Sequence, residues 1–183
     1  EAYEVSVAQL AEYAEATNNR GLLATADLAT GGDRPAVGLT RAQALAYCSW
    51  RHPGGRLPTE IEWEYAARDG RNDRQYPFAA SDAASLGLRA NVDNPRGQLD
   101  PVDSHPTGVS AHGVYNLIGN AAEWTLSDSA AYPGSRASVP RGLAVVRGGS
   151  AATPAHGLTA TSREFVAAGR SDPFIGFRCA TGL

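Results

Sequence analysis

The run Gly55-Arg56-Leu57-Pro58-Thr59-Glu60-Ile61-Glu62-Trp63-Glu64-Tyr65-Ala66-Ala67-Arg68 decides how the chain is to be read. Thr59 has the chemistry of a helix N-cap, and Glu62, three residues on, completes a capping box. Pro58 precedes the cap, where its missing N–H costs nothing. Ile61 and Tyr65 are four apart and fall on one face with Ala66 beside them, which predicts the packing face of the helix. Glu60, Glu62 and Glu64 sit in the first turns, where the helix dipole favours negative charge.

Outward from this helix the same local signals recur. Ser6-Val7-Ala8-Gln9 and Thr40-Arg41-Ala42-Gln43 are further capping boxes. The first opens a helix with Val7, Leu10, Ala11 and Ala14 at helical spacing. The second opens a helix to about Arg51 that buries Ala44, Leu45 and Cys48. Residues 1–5 are expected as a short strand, as are 143–147 and 174–180, with a tight turn at Gly119-Asn120. Residues 19–39 and 69–112 read as loops; the second is long enough to call for a function or an organising ion. The pattern predicts an α+β domain: two main helices on a small, irregular antiparallel sheet with long loops.

Composition sets the outer limits. The chain has 183 residues, enough for one domain with a real core, and a net charge of −3. No Lys/Arg cluster occurs, which argues against nucleic acid as a partner. No apolar run approaches the roughly 18 residues a membrane helix needs. Two cysteines, Cys48 and Cys179, are compatible on their own with two buried thiols.

The wording of the central stretch, "GGRLPTEIEWEYAAR", closely resembles the signature of the formylglycine-generating enzyme (sulfatase-modifying factor) superfamily. That superfamily also holds ergothioneine-pathway sulfoxide synthases, kinase-linked sensor domains and the variable receptors of diversity-generating retroelements. Similar stretches follow in the family's order: "AYCSW" at 46–50, "AN" at 90–91, "GVYNLIGNAAEWT" at 113–125, "VVRGGS" at 145–150 and "IGFRCA" at 175–180. The resemblance covers nearly the whole chain, so residues 1–183 are taken as one domain with a C-type-lectin-like fold. The strand or two that family members carry before the first helix have no counterpart here, which points to a piece of a longer protein or complex.

The resemblance also implies specific sites. Cys48 and Cys179 occupy the positions of a family helix-to-strand disulfide, which implies an extracytoplasmic setting, periplasmic or secreted. Asn116, Gly119, Ala121 and Glu123 match a family calcium site in which Asn and Glu give side chains and the other two give carbonyls. A second family calcium site maps onto Asn91 and the carbonyl of Val92, with Asp93 and Asp100 as open choices for a further ligand. Calcium is therefore expected as a structural cofactor. Copper is not: the thiolates of the copper site, third and eighth after "GGS", are here Thr153 and Leu158. Iron is not expected either. The sulfoxide synthases, which "RGGSAATPAHGLTATSREF" and "EWTLSDSAAYPG" also resemble, hold iron with histidines from a separate helical domain. Here His52, His105, His112 and His156 have no ligand spacing.

Departures from the family pattern cluster. Ala122 and Ala151 stand where Trp and another bulky residue are usual, and Phe78-Ala79 where Trp-Gly is usual. Such losses either enlarge a cleft or mark drift. A Ser/His/Asp triad from Ser150, His156 and Asp172 has neither the spacing nor a nucleophile elbow. The expectation is a non-catalytic ligand-binding or protein-interaction domain. Its ligand surface is placed at Ser150, Ala151, Thr153, His156 and Arg163, with Arg163 either receiving an anionic partner or bracing its strand. The alternative is a sulfoxide-synthase-like, metal-dependent oxidoreductase whose metal ligands come from a partner domain. A retroelement-diversified receptor is disfavoured, because AAC-derived variable positions cannot yield Glu164.

Overall fold

A computed structural model describes residues 1–24, 31–79 and 83–182. Parts of both predicted loops, 25–30 and 80–82, lie outside the described residues. Three α-helices form where the capping boxes stand: α1 (Val7–Ala16), α2 (Arg41–Arg51) and α3 (Glu60–Arg68). At each start the Ser or Thr oxygen accepts the N3 amide, and the N3 Gln or Glu accepts the cap amide in return. Short 3-10 turns at Arg20–Ala24, Ala83–Leu88 and Pro106–Gly108 punctuate the loops.

Four strands make one curled sheet: β1 (Ala122–Asp128), β2 (Ala144–Arg147), β3 (Arg163–Val166) and β4 (Ile175–Gly176), in the order β3-β2-β1-β4. β1–β2 and β2–β3 are antiparallel, as the sequence predicts, but β4 lies parallel to β1, so the sheet is mixed. The register of β1 on β2 shifts between Trp124 and Asp128. The expected first strand is an extended segment, with Val5 N–H donating to Phe177 O and Ala36 N–H donating to Val5 O. The expected strand over 174–180 is regular at only two residues and continues as a single bridge between Arg56 and Ala180.

Alternation along β1 divides the core in two. Trp124 points into a cluster with Leu10, Tyr13, Tyr47, Leu57, Val146 and Phe177, under α1 and α2. Cys48 and Cys179 close this layer as a disulfide, with Cα atoms 5.4 Å apart. Glu123 points the other way, to Trp63 of α3. Trp63 and Ala67 pack there with Leu86, Leu117, Ile118 and Leu158. The packing face of α3 is therefore Glu60, Trp63 and Ala67, and the predicted face is turned outward, with Ile61 78% and Tyr65 56% exposed. The reason is polar. Trp63 finds a carboxylate and Glu60 a buried arginine, and apolar periodicity registers neither.

Two outcomes follow. Replacing Cys48 and Cys179 by Ala frees a loop of 131 residues and is expected to lower stability by roughly 4–5 kcal/mol in denaturant unfolding, on the chain-entropy account. The Arg56 guanidinium, with the Thr59 amide and hydroxyl, holds the Glu62 carboxyl down at about 2 against an ordinary 4.5. A depressed folded-state value contributes stability that is present above pH 4.5 and is lost as pH falls toward about 2. The pair is half exposed, so Glu62→Gln should remove only about 1 kcal/mol or less of that slope, read as the pH dependence of the melting temperature.

Candidate functional site

The turn before β1 is built from backbone that few residues tolerate. Asn116 and Asn120 have φ of 52° and 58°, and Gly119 has φ of 75°. A Cβ at Gly119 would lie 2.2 Å from the carbonyl oxygen of Asn91, so only glycine fits this approach. The turn sets Asn116, Asn120 and Glu123 around one buried polar cluster, which Glu4 and Arg178 complete.

Arg178 grips Glu123 from two sides: Nε donates to Oε2 at 2.7 Å and an NH2 group to Oε1 at 2.6 Å. Trp63 Nε1 donates to the same Oε2 at 2.9 Å. The remaining Arg178 protons reach the carbonyls of Ala2 and Tyr115. Glu4 accepts from Asn116 Nδ2 at 2.7 Å, from Asn120 Nδ2 and from the Ala121 amide. Burial pushes the Glu4 carboxyl up to about 8; Glu123 adds to the rise, while Arg178 and the amide donors oppose it. Asn116 Oδ1 is buried and has no hydrogen-bond partner among the described residues. Asn116, Gly119 and Ala121 are thus on the turn, and Glu123 is on the strand it leads into. Glu4 is the member that sequence reasoning missed: nothing local at Glu4 announces an asparagine 112 residues away.

Asn91 sits beside this cluster. Its Nδ2 donates to Gln98 O at 2.7 Å and to Asn120 Oδ1 at 3.2 Å, and its carbonyl accepts from the Asn120 amide. Val92 is buried, and the Asp93 amide donates to Thr153 O. Asp100 is turned to His105 at 2.9 Å. Among the described residues no three His, Cys, Asp or Glu side chains converge as a metal cluster, so any ion here would rest on amides and carbonyls together with Glu123.

The expected ligand residues separate. Ser150 and Thr153 form one turn, in which the Ser150 amide donates to Thr153 Oγ1 at 2.9 Å. Ala151 is fully buried, its amide donating to Asn120 O and its carbonyl accepting from Asn94. His156 is exposed. Arg163 braces its strand, reaching Glu60 Oε2 at 2.8 Å and lying over the Tyr132 ring at 4.3 Å. A small cleft of about 190 Å³ does open at Ser150, with Ala122 in its wall beside Glu164, Arg170, Asp172 and Phe174. Ala122 itself is buried in the core under α1 and α2 and meets the cleft only at its edge.

A second polar cluster lay outside the sequence reading. Arg147 is buried and donates to Glu60 at 3.0 Å, to Glu64 at 2.7 Å and to the carbonyls of Ala160 and Thr161, with its guanidinium 5.2 Å above the Trp63 ring. The Tyr132 hydroxyl donates to Glu60 at 2.8 Å. A groove of about 450 Å³ runs past this cluster, walled by Ile61, Tyr65 and Tyr132. An arginine inside the strand "AVVR" was the available signal, because a buried guanidinium requires carboxylate partners. Three of the four histidines pair with carboxylates: His52 with Glu1, His105 with Asp100 and His112 with Asp69.

Helices on a small mixed sheet, with well over half of the described residues in loops, define a C-type-lectin-like α+β domain. Among solved structures the chain is similar to PvdO from Pseudomonas aeruginosa, with a TM-score of 0.67 and 23% identity over 97% of this chain and 77% of that one. It is also similar to Treponema denticola variable protein 1, with a TM-score of 0.66 and 22% identity over 81% of this chain and 71% of that one. At these identities the likeness concerns the fold. The chain belongs to the sulfatase-modifying factor enzyme 1-like domain family, whose model matches residues 1–183. Curated relatives include a hercynine oxygenase of Mycolicibacterium thermoresistibile, 35% identical over 81% of this chain and 36% of the relative. Another is the inactive C-alpha-formylglycine-generating enzyme 2 of Bos taurus, 32% identical over 81% of this chain and 50% of the relative. The chain thus spans between about a third and a half of the length of these relatives.

The buried pair gives a sharp test. Arg178→Met leaves Glu123 without its counter-charge and should cost about 3–5 kcal/mol in urea unfolding. Adding Glu123→Gln to the same chain should recover most of that loss, because no buried charge is then left unpaired.

Proposed function

We propose that this chain is a non-catalytic ligand-binding or protein-interaction domain of the superfamily, stabilised by calcium and working outside the cytoplasm. The carrying observation is that both cysteines are joined to each other. No thiol remains for a copper site of the formylglycine-generating kind, and Thr153 and Leu158 stand at the positions concerned. The Thr153 hydroxyl accepts the Ser150 amide, and Leu158 packs in the α3 core. Likeness to a bovine relative named as inactive fits this reading. The disulfide fits an oxidising compartment. No described helix is long and apolar enough to cross a membrane.

The residues present fit a calcium ion. Asn116 Oδ1 is a buried acceptor without a donor, which a hard cation would satisfy. Glu123 Oε1 accepts one proton from Arg178 and so keeps a lone pair. Gly119 and Ala121 would add carbonyls, and Asn91 with Val92 would serve a second ion. Such an ion supplies no chemistry; it would fix the turn that carries β1. The ligand surface is then the Ser150 cleft, where Glu164, Arg170 and Asp172 offer charge.

A second reading has its own support. The hercynine oxygenase likeness favours an oxidoreductase that takes its metal ligands from a further domain. Oxygen uptake with copper or iron and a thiol substrate, measured on the purified chain and on the protein together with any further domain it carries, separates the two. We expect only the free-metal background, and turnover above it would overturn the non-catalytic reading. For calcium, a chelator is expected to lower the melting temperature, because a ligand of the folded state stabilises by mass action. Asn116→Ala should abolish that response without unpairing Arg178. A melting temperature indifferent to chelator would remove calcium from the account.

A further inference from the structure

The Asn116 side chain is buried, and the two ends of its amide are used unevenly. Nδ2 donates to Glu4 Oε2 at 2.7 Å and to Val102 O at 3.0 Å, so both of its protons are taken. Oδ1, at the other end of the same amide, is buried and has no hydrogen-bond partner among the described residues. Turning the amide over would set Oδ1 against two acceptor oxygens. Glu4 and the Val102 carbonyl therefore decide which way the free acceptor faces.

Glu4 is held in place by contacts from far along the chain. It is fully buried and lies on the segment that enters α1. On either side of it the Tyr115 amide donates to Ala2 O and the Val5 amide donates to Phe177 O. Its carboxyl accepts from Asn116 Nδ2, from Asn120 Nδ2 at 3.1 and 3.2 Å, and from the Ala121 amide at 3.2 Å. One side chain thus grips three residues of the turn that runs into β1. All three partners are neutral N–H donors, a set that suits a carboxylate.

Charge points the same way. Glu123 is matched by Arg178, which contacts both of its oxygens. Glu4 has no cationic hydrogen-bond partner among the described residues. The buried side chains Glu4, Glu123 and Arg178 therefore hold one negative charge in excess, beside an acceptor that lacks a donor. A buried excess charge is costly unless a counter-charge offsets it. A hard cation would supply both the missing charge and the missing partner.

We propose that Glu4 is the positioning residue of the calcium site. It turns Asn116 Oδ1 toward the ion and supplies the net negative charge that Glu123, neutralised by Arg178, does not. Glu4 acts through Asn116 and the turn. This inference rests on the calcium reading above and adds to it a residue 112 positions from Asn116.

The test is calorimetric titration of chelator-treated protein with calcium chloride, alongside melting temperatures in chelator and in calcium. Glu4→Gln should bind calcium about 10–100-fold more weakly, the usual loss when a group that orients a metal ligand is removed. In chelator the same variant should melt at or above the wild-type temperature, because the unmatched buried charge is gone. A brace with no part in ion binding would lower both melting temperatures alike. A second readout needs no variant: the carbon-13 resonances of the Asn116 side-chain carbonyl and the Glu4 carboxyl should move as calcium is added to the wild-type protein, and saturate with the calorimetric curve. If the wild type takes up no calcium, the calcium reading falls and this inference falls with it. If the wild type binds calcium, three results would each overturn the role of Glu4 alone: equal affinity in Glu4→Gln, a lower melting temperature of that variant in chelator, or an Asn116 carbonyl resonance that calcium does not move.

Discussion

The ion pair between Glu123 and Arg178 is the constraint on which the rest of the structure hangs. Both groups are withdrawn from water, and each would be costly alone. Their remaining hydrogen-bonding capacity is used to tie separate parts of the chain together. Glu123 fixes the indole of α3, while Arg178 holds the carbonyls of Ala2 and Tyr115. A strand, a helix, a loop and the entering segment therefore meet at one charge pair. Such a junction cannot slide by one residue without stranding a charge, so it fixes register where a purely apolar core would tolerate repacking.

Around that pair the interior holds further polar groups. Glu4, Asn116 and Asn120 continue the cluster on one side, and Arg147 with Glu60 and Glu64 form a second one across α3. Little of the sheet is regular, and the loops are held by side-chain amides and ion pairs in place of ladders. The outer surfaces inherit this division. Beside α3 the charges are consumed internally and an apolar wall faces water. At the Ser150 cleft the wall carries charge of both signs, from Glu164, Arg170 and Asp172.

What the sequence disclosed depended on the range of the interaction. The three capping boxes span four residues each, and all three open the helices they predict. The Asn116 to Glu123 turn was legible because its residues are contiguous and its wording resembles a family. The pairing of Cys48 with Cys179 was likewise implied by that resemblance, since two cysteines alone are compatible with free thiols. The outward face of α3 was misread for a physical reason. Ile61 and Tyr65 look like a buried stripe, but Glu60 and Trp63 have buried polar partners at positions 147 and 123. The same limit hid Glu4, the parallel placement of β4, and the company that Ser150 keeps with Glu164 and Arg170. Each depends on residues far apart in the chain, where no local pattern exists.

The layer under α1 and α2 is closed by residues from the far end of the chain: Phe177 lies against Tyr47, and Cys179 reaches Cys48. During synthesis this has a cost in time. At roughly 5–20 residues per second, the 131 residues separating the two cysteines take roughly 7–26 seconds to appear. Over the first half of that interval the two helices can form, but their apolar faces have no sheet to cover them, and Cys48 has no mate until its end. The early half of the nascent chain is thus left waiting for partners that synthesis supplies last.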